Sequence, residues 1–278
     1  MKDKRILFLL INYFNEFEVA EFVSAQLAKY LSADVYITIV DNGSKDTSLL
    51  NKVVMKYNNV SIFTPEANAG YFGGAYQGLQ YYLSANTHPN AVIICNTDIT
   101  LESENFVPQL QAMLDNSDFD IMGPDVYSTF LKYHQNPYIL KRITSNRIKL
   151  YKFVTSNSFF YAVFTLLHLL KSKLVKSNTQ TAIHHTIDTY AIHGSFVIFN
   201  KSYFDKGGSI KYPSFLFGEE LFVAETAIKL GLKTIYCPAL KINHFQNTTT
   251  GTFKSGRAVR LLHQSYSYLL DSFFTDKK

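Results

Sequence analysis

The sequence predicts an α/β protein in which helices flank a mostly parallel β-sheet on both faces. The main observation is that short apolar runs alternate, over residues 1–125, with longer segments of helical period. Strands that alternate with helices form a parallel sheet that is covered on both sides. With 278 residues, 47% of them hydrophobic and 15% aromatic, the chain can also bury a large core, in one large domain or two small ones.

Four apolar runs in this region are rich in β-branched and aromatic residues and end in polar or turn residues, which is typical of strands. They read RILFLLIN, DVYITIVDN, NVSIFTP and AVIICNTD. The segments between them repeat apolar residues at helical spacing, as in NEFEVAEFVSAQLAKYL, KDTSLLNKVVMKY and GGAYQGLQYYL. Further along, FGEELFVAETAIKLG predicts a helix that has Glu219 and Glu220 in its first turn and stops at Gly231.

Secreted and membrane-spanning proteins are two classes that the sequence disfavours. The first apolar run extends only from Ile6 to Ile11 and no small-residue cleavage site follows it, so we expect no signal peptide. No run reaches the roughly 18 apolar residues of a spanning helix. Cys95 and Cys237 both lie in strand-like runs, which predicts reduced, packed thiols in a cytoplasmic protein and no disulfide.

Residues 126–187 carry the positive charge of the chain, because they contain nine Lys and Arg residues and no Asp or Glu. Removing these nine from the 27 Lys and Arg residues leaves 18 against 22 Asp and Glu, a net charge of −4, whereas the formal charge of the chain is +5. The nine cations are Lys132, Lys141, Arg142, Arg147, Lys149, Lys152, Lys171, Lys173 and Lys176.

Within this basic segment lies an apolar stretch, SFFYAVFTLLHLL, that is too short to span a bilayer. Two interpretations of it stay open. Basic flanks around an apolar helix suit an interfacial helix on an anionic membrane. An internal helix whose apolar face packs on the sheet has the same pattern.

Polar residues follow each of the four predicted strands, at the edge of the sheet where ligands bind in α/β proteins. They are Asn12, the run Asp41 to Ser44, the run Glu66 to Gly70, and the run Asn96 to Asp98. Each group taken alone is ordinary turn or helix-cap chemistry. Four groups at one edge favour a binding site.

Five motifs that include these residues resemble, in their order, those of family-2 glycosyltransferases, and specifically the rhamnosyltransferase-like and capsular-polysaccharide branch. The motifs are VDNGSKDTS, NAGYFGGAYQGL, NTDI, FLFGEELFVAETAIKLG and INHFQNTT. The resemblance extends roughly from Arg5 to Thr250, with a gap in the middle. It implies a GT-A fold, a nucleotide-diphosphate-sugar donor and a divalent cation, Mn²⁺ or Mg²⁺.

The resemblance also assigns donor-binding residues. Asp98 matches the last position of the family's D-x-D-type motif and is the expected metal ligand, whereas Asn96 stands at the first position and is expected near the donor sugar or ribose. Asp41 matches the nucleotide-binding aspartate, and Asn12 is expected to border the base. By the same resemblance, the glycine-rich motif places Asn68 and Gly70 against the nucleotide sugar. The alternative is that its glycines only permit tight packing.

Two further residues, one in each downstream motif, are assigned by the same resemblance. Glu220, the second glutamate of its motif, matches the general base that deprotonates the acceptor hydroxyl, with Glu219 beside it; their other interpretation is that they favour the helix dipole. His244, just after the predicted strand LKTIYCPALKIN, matches a histidine that contacts metal or diphosphate, although a lone histidine is also commonly structural. Phe222 replaces a third acidic residue of the rhamnosyltransferase form, which fits the capsular branch.

The function that the resemblance implies is therefore inverting transfer of a sugar to a hydroxyl group of a glycan acceptor in bacterial surface polysaccharide synthesis. The expected acceptor is a glycan that is linked to a lipid carrier. We expect a cytoplasmic protein, with peripheral attachment to the inner face of the plasma membrane as an option. The predicted single domain, 1–278, divides into a nucleotide-sugar half (1–125), the helical basic insert (126–187), an acceptor and catalytic half (188–256) and a C-terminal helix (257–278).

Two other functional classes have less support. A sugar-phosphate nucleotidyltransferase would carry a G-x-G-T-R-like loop after the first strand, where this chain reads LLINYFNEFE. A nucleic-acid-binding protein could use the basic segment, but the ordered motifs at the strand ends would then be unexplained. We therefore expect no nucleic-acid partner.

Overall fold

The structure is a computed structural model that describes residues 4–31, 34–116, 118–174, 183–245 and 255–275. A single sheet crosses the described part of the chain and contains all of its strands. The strands are β1 Ile6–Asn12, β2 Val35–Asp41, β3 Val60–Phe63, β4 Ala91–Cys95, β5 Ile99–Leu101, β6 Ile121–Ser128, β7 Tyr133–His134, β8 Ile187–Asp188, β9 Phe196–Asn200 and β10 Thr234–His244.

Helices cover both faces of this sheet. They are α1 Glu16–Glu21, α2 Ser48–Lys56, α3 Tyr71–Leu83, α4 Phe106–Asn116, α5 Ser145–Val154, α6 Ser158–Leu174, α7 Lys201–Asp205, α8 Glu219–Leu230 and α9 Gly256–Leu269. Helix α1 continues as a π-helical turn, Phe22–Leu27, and a 3₁₀ turn, Ala28–Tyr30. Helix α9 continues as the π-helical segment Leu270–Phe274.

The strand order is β3-β2-β1-β4-β9-β6-β10-β5, with β7 beside β6 and β8 beside β10. Strands β3, β2, β1 and β4 are parallel to one another, as are β6 and β10, whereas β9 runs antiparallel to β4 and β6. The predicted α/β class, with a mostly parallel sheet flanked by helices, is confirmed. Because β1 to β4 are parallel, the polar residues that follow them lie at one edge of the sheet.

The core has two layers, one on each face of the sheet, and β1 contributes to both. Ile6, Phe8 and Leu10 are buried in the cluster that includes α1, α2 and α4, while Leu7 and Leu9 belong to the cluster on the side of α3 and α8. Burial on both faces explains why β1 has a continuous apolar sequence without alternation.

Both cysteines are buried and free, which confirms their prediction as core residues. The Cys237 Sγ lies 3.9 Å from the sulfur of Met113, and Cys95 is completely inaccessible. Burial also raises the pKa of the Cys95 thiol, which disfavours the reactive thiolate.

The helix predicted from the glutamate motif is α8, which starts at Glu219 and is followed by Gly231 in the left-handed region (φ 63°). One boundary differs from the prediction. His244 does not follow its strand but is the last residue of β10, because its pairing with Ile99 of β5 extends the strand by one residue. Residues 246–250, which end the last motif, lie outside the described residues.

The basic segment, residues 126–187, contains the end of β6, strand β7, helices α5 and α6, and the first residue of β8. Its apolar stretch forms α6, as predicted, but much of that helix is exposed. Among the nine cations, Lys176 lies outside the described residues, as does the side chain of Lys173. No single helix in the described chain is long and apolar enough to cross a membrane; α5 and α6 up to Lys171 reach this only together, with a bend of 119°.

Candidate active site

A buried polar cluster lies where β1 and β2 end side by side. The two strands are in register, so Asn12 pairs with Asp41, and the Asn12 amide donates a hydrogen bond to Asp41 Oδ1 (2.9 Å). The backbone N–H and the hydroxyl of Ser44 also donate to this oxygen, at 3.0 and 2.5 Å. Asp41 Oδ2 is buried as well, yet no described residue donates a hydrogen bond to it. A buried carboxylate oxygen without a donor is costly unless a ligand supplies one.

A cavity of about 810 Å³ opens at this edge of the sheet, and we name it the rim cavity. Its walls come from the ends of the first three strands, from the start of α3, from the loop before α8 and from the start of α9. It is lined by Ile11, Tyr13, Phe14, Asn42, Gly43, residues 64–68, Gly70, Tyr71, residues 215–217, Ser255, Arg257, Ala258 and Leu261.

Asn42 fixes the glycine motif that forms one wall of the rim cavity. Its side-chain amide donates to the Gly70 carbonyl (2.9 Å), and the Gly70 N–H donates to Asn68 Oδ1 (2.9 Å). Gly70 has φ 77°, and a Cβ there would lie 1.9 Å from the Phe215 carbonyl oxygen. Tight packing thus requires this glycine, and both Asn68 and Gly70 line the cavity as the donor-binding prediction needs.

Asp98 and His244, which the sequence analysis singled out separately, are neighbours in the structure. Asp98 immediately precedes β5, and the antiparallel pairing of β5 with β10 sets Ile99 opposite His244. As a result His244 Nε2 lies 3.4 Å from Asp98 Oδ1. The Asn96 amide nitrogen is also 3.4 Å from this ring nitrogen, so all three predicted residues converge.

Gln135 holds the His244 ring from the other side. Its Oε1 lies 2.8 Å from His244 Nδ1, and because a carboxamide oxygen only accepts hydrogen bonds, Nδ1 carries the proton. In this tautomer of the neutral ring, Nε2 carries the lone pair and can accept a hydrogen bond or coordinate a cation. The Gln135 amide nitrogen is 3.4 Å from His193 Nε2. Sequence reasoning missed Gln135 and His193, since neither belongs to a motif.

His193 adds a neutral ring to this group. Burial and, to a smaller extent, the neighbouring His244 lower its pKa to about 4, against the opposing effect of Asp98. The His193 ring lies 5.8 Å from the ring of His244 and 5.6 Å from that of Tyr138. It thus connects the Asp98–His244 pair to a second cavity, which Tyr138 lines.

The donor set around His244 fits a divalent cation that takes only part of its ligands from protein. A carboxylate oxygen and an unprotonated imidazole nitrogen 3.4 Å apart can both contact one ion, and this distance is longer than a normal hydrogen bond. The described residues contain no group of three or more His, Cys, Asp or Glu that could hold a metal. Mn²⁺ and Mg²⁺ commonly complete their coordination with water and phosphate oxygens.

The second cavity, of about 620 Å³, contains both predicted catalytic glutamates, and we name it the glutamate cavity. Glu219 and Glu220 follow a sharp turn in which Phe217 (φ 73°) and Gly218 (φ 83°) both have left-handed backbone. A non-glycine residue in this conformation is strained, and such strain is concentrated at functional sites. The cavity is lined by residues 137–140, Ile143, Arg147, Tyr151, residues 217–221, Leu262 and Tyr266.

The two glutamates influence each other's protonation. Burial and, to a smaller extent, the charge of Glu220 raise the pKa of Glu219 to about 8. Burial also raises the pKa of Glu220, while backbone N–H groups, including that of Gly194, oppose this. When two adjacent carboxyl groups share a buried site, the charge on one opposes ionisation of the other, so the two titrate as a pair. Glu219 is 7% exposed and its Oε1 accepts from the Phe217 N–H, whereas Glu220 is only partly buried and lines the glutamate cavity beside it.

Tyr71 links the two cavities and the Asp98–His244 pair. It lines the rim cavity, and its hydroxyl donates to the Gly194 carbonyl (3.2 Å), where a Cβ on Gly194 would lie 2.9 Å from Glu220 Oε1. Burial raises the pKa of Tyr71 strongly, and nearby negative charges, Asp98 and both glutamates among them, add to this. Phe217 lines both cavities. The predicted site residues therefore form one continuous region.

Arg257 is a further residue that the sequence analysis missed. It lies in the first turn of α9, is exposed, and lines the rim cavity. A guanidinium at the cavity wall suits a phosphate group, because its fork of donors matches phosphate oxygens. Only the return of the chain to this edge of the sheet puts Arg257 there.

Comparison with known proteins shows the fold. No protein-family model matches the chain, and a search of curated proteins finds no match. Among solved structures, the crystal structure of GalNAc-T7 with UDP, GalNAc and Mn²⁺ is similar, with a TM-score of 0.62, 12% identity and 99% of this chain covered. The chain spans about half (49%) of that protein. A197 from STIV is matched with a TM-score of 0.42 and 13% identity, over 87% of this chain and 85% of the other.

Proposed function

We propose that this chain is an inverting glycosyltransferase, which moves a sugar from a nucleotide-diphosphate-sugar to a hydroxyl group of a glycan acceptor. Its GT-A fold, a nucleotide-binding α/β architecture, supports the proposal. The observation that carries this proposal is the convergence on Tyr71 of the rim cavity, the Asp98–His244 pair and Glu220. In this arrangement the donor would occupy the rim cavity, the leaving diphosphate would lie at the Asp98–His244 pair, and the acceptor would lie beside Glu220.

The nucleotide is assigned to the rim cavity and the polar cluster behind it. Asp41 Oδ2 lacks a donor among the described residues, and an N–H of a nucleobase would satisfy it. Asn12 borders the base through its hydrogen bond to Asp41. Asn68, Gly70 and Asn96 contact the nucleotide sugar, and Arg257 is a candidate contact for the diphosphate.

Asp98 and His244 are the proposed ligands of the divalent cation. When bound, the cation neutralises the negative charge that develops on the leaving nucleoside diphosphate. An imidazole ligand suits Mn²⁺ better than Mg²⁺, which prefers oxygen ligands, so we propose Mn²⁺ as the preferred ion. The solved structure of similar fold was crystallised with UDP and Mn²⁺, which supports this choice.

Glu220 is the proposed general base and Glu219 its protonated neighbour. The Glu220 carboxylate takes the proton of the acceptor hydroxyl as that oxygen attacks the anomeric carbon. A new glycosidic bond forms while the bond from that carbon to the diphosphate oxygen breaks, and the electron pair leaves with the nucleoside diphosphate. Attack from the side opposite the leaving group inverts the anomeric centre. The raised pKa of Glu220 makes its carboxylate a stronger base near neutral pH.

The biological setting is proposed from the motif resemblance to capsule-building transferases. In this proposal the acceptor is a growing glycan on a lipid carrier, and the enzyme works in surface polysaccharide synthesis at the inner face of the plasma membrane. Residues 1–125 would bind the donor and residues 188–256 would supply the base, with 126–187 as the insert and 257–278 as the C-terminal helix.

A thermal-shift panel of UDP-, dTDP- and GDP-sugars, each with and without Mn²⁺, tests the proposal directly. A bound donor raises the melting temperature by mass action, and we expect one nucleotide class to do so with Mn²⁺ dependence. The same mixtures should release free nucleoside diphosphate when an acceptor is supplied. Release of pyrophosphate from a nucleoside triphosphate and a sugar phosphate, without activity on nucleotide sugars, would instead identify a nucleotidyltransferase.

A further inference from the structure

We infer that the outer face of α5 and α6 binds an anionic lipid bilayer and holds the glutamate cavity beside it. The consequence of this membrane contact for the acceptor rests on the proposed function. We name this face the arm surface; it consists of Leu150, Phe153, Phe159, Phe160, Val163, Leu166, Leu167 and Leu170 together with Lys149 and Lys171.

The arm surface begins with a stripe of exposed apolar residues on α6. Phe159 is 70% exposed, Leu166 52% and Leu170 51%, and with Val163 they follow the spacing of one helical face. Of the large hydrophobic residues that are exposed in the described chain, eight fall within 150–170. Isolated exposed apolar side chains are normal, whereas a contiguous group of this size marks a contact surface.

Helix α5 has two sides with different partners. Ile148 and Val154 are buried against the core, while Leu150 and Phe153 are exposed. The Phe153 ring stacks on Phe160 of α6, with 5.0 Å between ring centroids, so the exposed faces of the two helices are continuous. Packing on the enzyme's own core therefore accounts for the inner side of α5, whereas the residues that the structure describes leave the arm surface uncovered.

Charge identifies what the apolar face contacts. Lys149 and Lys171 are exposed on the helices that carry the stripe, and residues 126–187 contain no carboxylate. Apolar side chains flanked by cations match the boundary between acyl chains and anionic headgroups. A second copy of the chain would bring two equally basic surfaces together, and like charges in contact disfavour that association.

The inner side of α5 connects this surface to the candidate chemistry. Arg147 and Tyr151 line the glutamate cavity, and Arg147 Nε donates to the Tyr151 hydroxyl (2.6 Å). The Tyr151 ring is 5.2 Å from that of Tyr266, which lines the same cavity and whose pKa is raised by burial and by nearby groups that include Glu220. A helix with one side in the headgroup region and the other on this cavity would keep the cavity within reach of a membrane-bound acceptor. Arg147 is then placed to meet the phosphate of a lipid carrier.

Liposome flotation of the full chain tests the inference without requiring catalysis. Vesicles contain either phosphatidylcholine alone or phosphatidylcholine with an equal share of phosphatidylglycerol. We expect the protein to float with the phosphatidylglycerol vesicles at low ionic strength, and to dissociate as salt rises past ~0.1 M because screening shortens the electrostatic range. Size-exclusion chromatography with light scattering, run in parallel, reports self-association.

Two sets of variants locate the contact. Leu166→Gln with Leu170→Gln should weaken vesicle binding at least about tenfold, because the substitutions remove two apolar side chains from the contact with the acyl chains. Lys149→Glu with Lys171→Glu should weaken it at least about fivefold for each cation removed. The matched control is Met55→Gln with Lys52→Glu on α2, where Met55 is 85% exposed but has no apolar stripe beside it; this pair should bind as the parent does.

The outcomes separate the alternatives. Binding that needs phosphatidylglycerol and is lost in both arm variants, with the control unaffected, supports the inference. Absence of vesicle binding, binding unchanged in the arm variants, or a dimer that the leucine variants dissociate would overturn it. Failure of nucleotide-sugar binding in the thermal-shift panel, with flotation intact, would overturn the proposed function and leave the arm surface standing.

Discussion

His244 Nε2 lies 3.4 Å from Asp98 Oδ1, although the two residues belong to motifs that are 146 residues apart in the chain. The antiparallel pairing of β5 with β10 produces this proximity, and Gln135 sets the tautomer in which Nε2 is unprotonated and can coordinate a cation. The pair is the proposed metal site.

Replacement of Asp98 tests the metal site directly. Asp98→Asn keeps the shape of the side chain and removes its charge, so we expect normal thermal unfolding and a turnover at least ~10²-fold lower. Isothermal titration with Mn²⁺ should show weaker binding to the variant. Near-normal turnover of the parent protein in excess EDTA would contradict the metal assignment.

Gln135 is a positioning residue for His244, and its replacement tests that role. Gln135→Leu removes the acceptor that holds Nδ1, and loss of such an outer ligand partner typically weakens metal binding about 10- to 100-fold. Mn²⁺ affinity, measured by the loss of the free-ion electron paramagnetic resonance signal, should fall accordingly. Gln109→Leu on the exposed face of α4 is the matched control and should leave the affinity unchanged. Equal affinities in all three proteins would show that Gln135 is only structural.

The two glutamates are distinguished by their amide variants. Glu220→Gln removes the proposed base, so donor binding should persist while transfer falls by roughly 10² to 10⁴-fold. Glu219→Gln should have a smaller effect, because that side chain is the protonated neighbour. Steady-state transfer assays with a donor-binding control check both. The reverse order would exchange the two roles, and two active variants would place the base elsewhere.

The raised pKa of Glu219 also predicts how the stability of the protein depends on pH. Its pKa rises from 4.5 to about 8 on folding, chiefly through burial, so the folded protein keeps a proton that the unfolded chain releases. The unfolding free energy should therefore fall as pH rises from 4.5 toward 8. In Glu219→Gln this pH dependence is absent. The unfolding free energy of the variant relative to that of the parent should therefore increase by more than about 1 kcal/mol between pH 5 and pH 8.

Urea denaturation at several pH values measures this difference. Glu102→Gln, at an exposed position outside the site, is the matched control for the same substitution. A pH-independent difference between the parent and Glu219→Gln would mean that Glu219 is not protonated in the folded protein.

Gly70 tests the packing that shapes the rim cavity. In Gly70→Ala the new Cβ would meet the Phe215 carbonyl in a left-handed backbone, so we expect a loss of more than about 3 kcal/mol in unfolding free energy. Gly207 has φ 90° but open space around it, and Gly207→Ala should cost only about 1 to 2 kcal/mol for backbone strain. Chemical denaturation of both variants checks this; equal costs would show that the loop at Phe215 moves aside.

Sequence by itself determined the elements and the polar edge of the sheet. The strand β1 and the helix α8 follow from local patterns of apolar residues and from glycine at the helix end, which depend only on neighbours in the chain. Parallel order then requires Asn12, Asp41 and Asp98 to lie at one edge, because parallel strands all end on the same side.

Tertiary structure alone decided which distant residues meet and which apolar faces are covered. The contacts of Gln135 with His244, and the place of Arg257 on the rim cavity, depend on strand pairing and chain return, which leave no signal in spacing along the chain. The exposed stripe on α6 is a similar case: an apolar helical face has the same sequence whether it packs on protein or on lipid, since both are apolar surroundings. Only the position of that helix outside the two-layer core distinguishes the two environments.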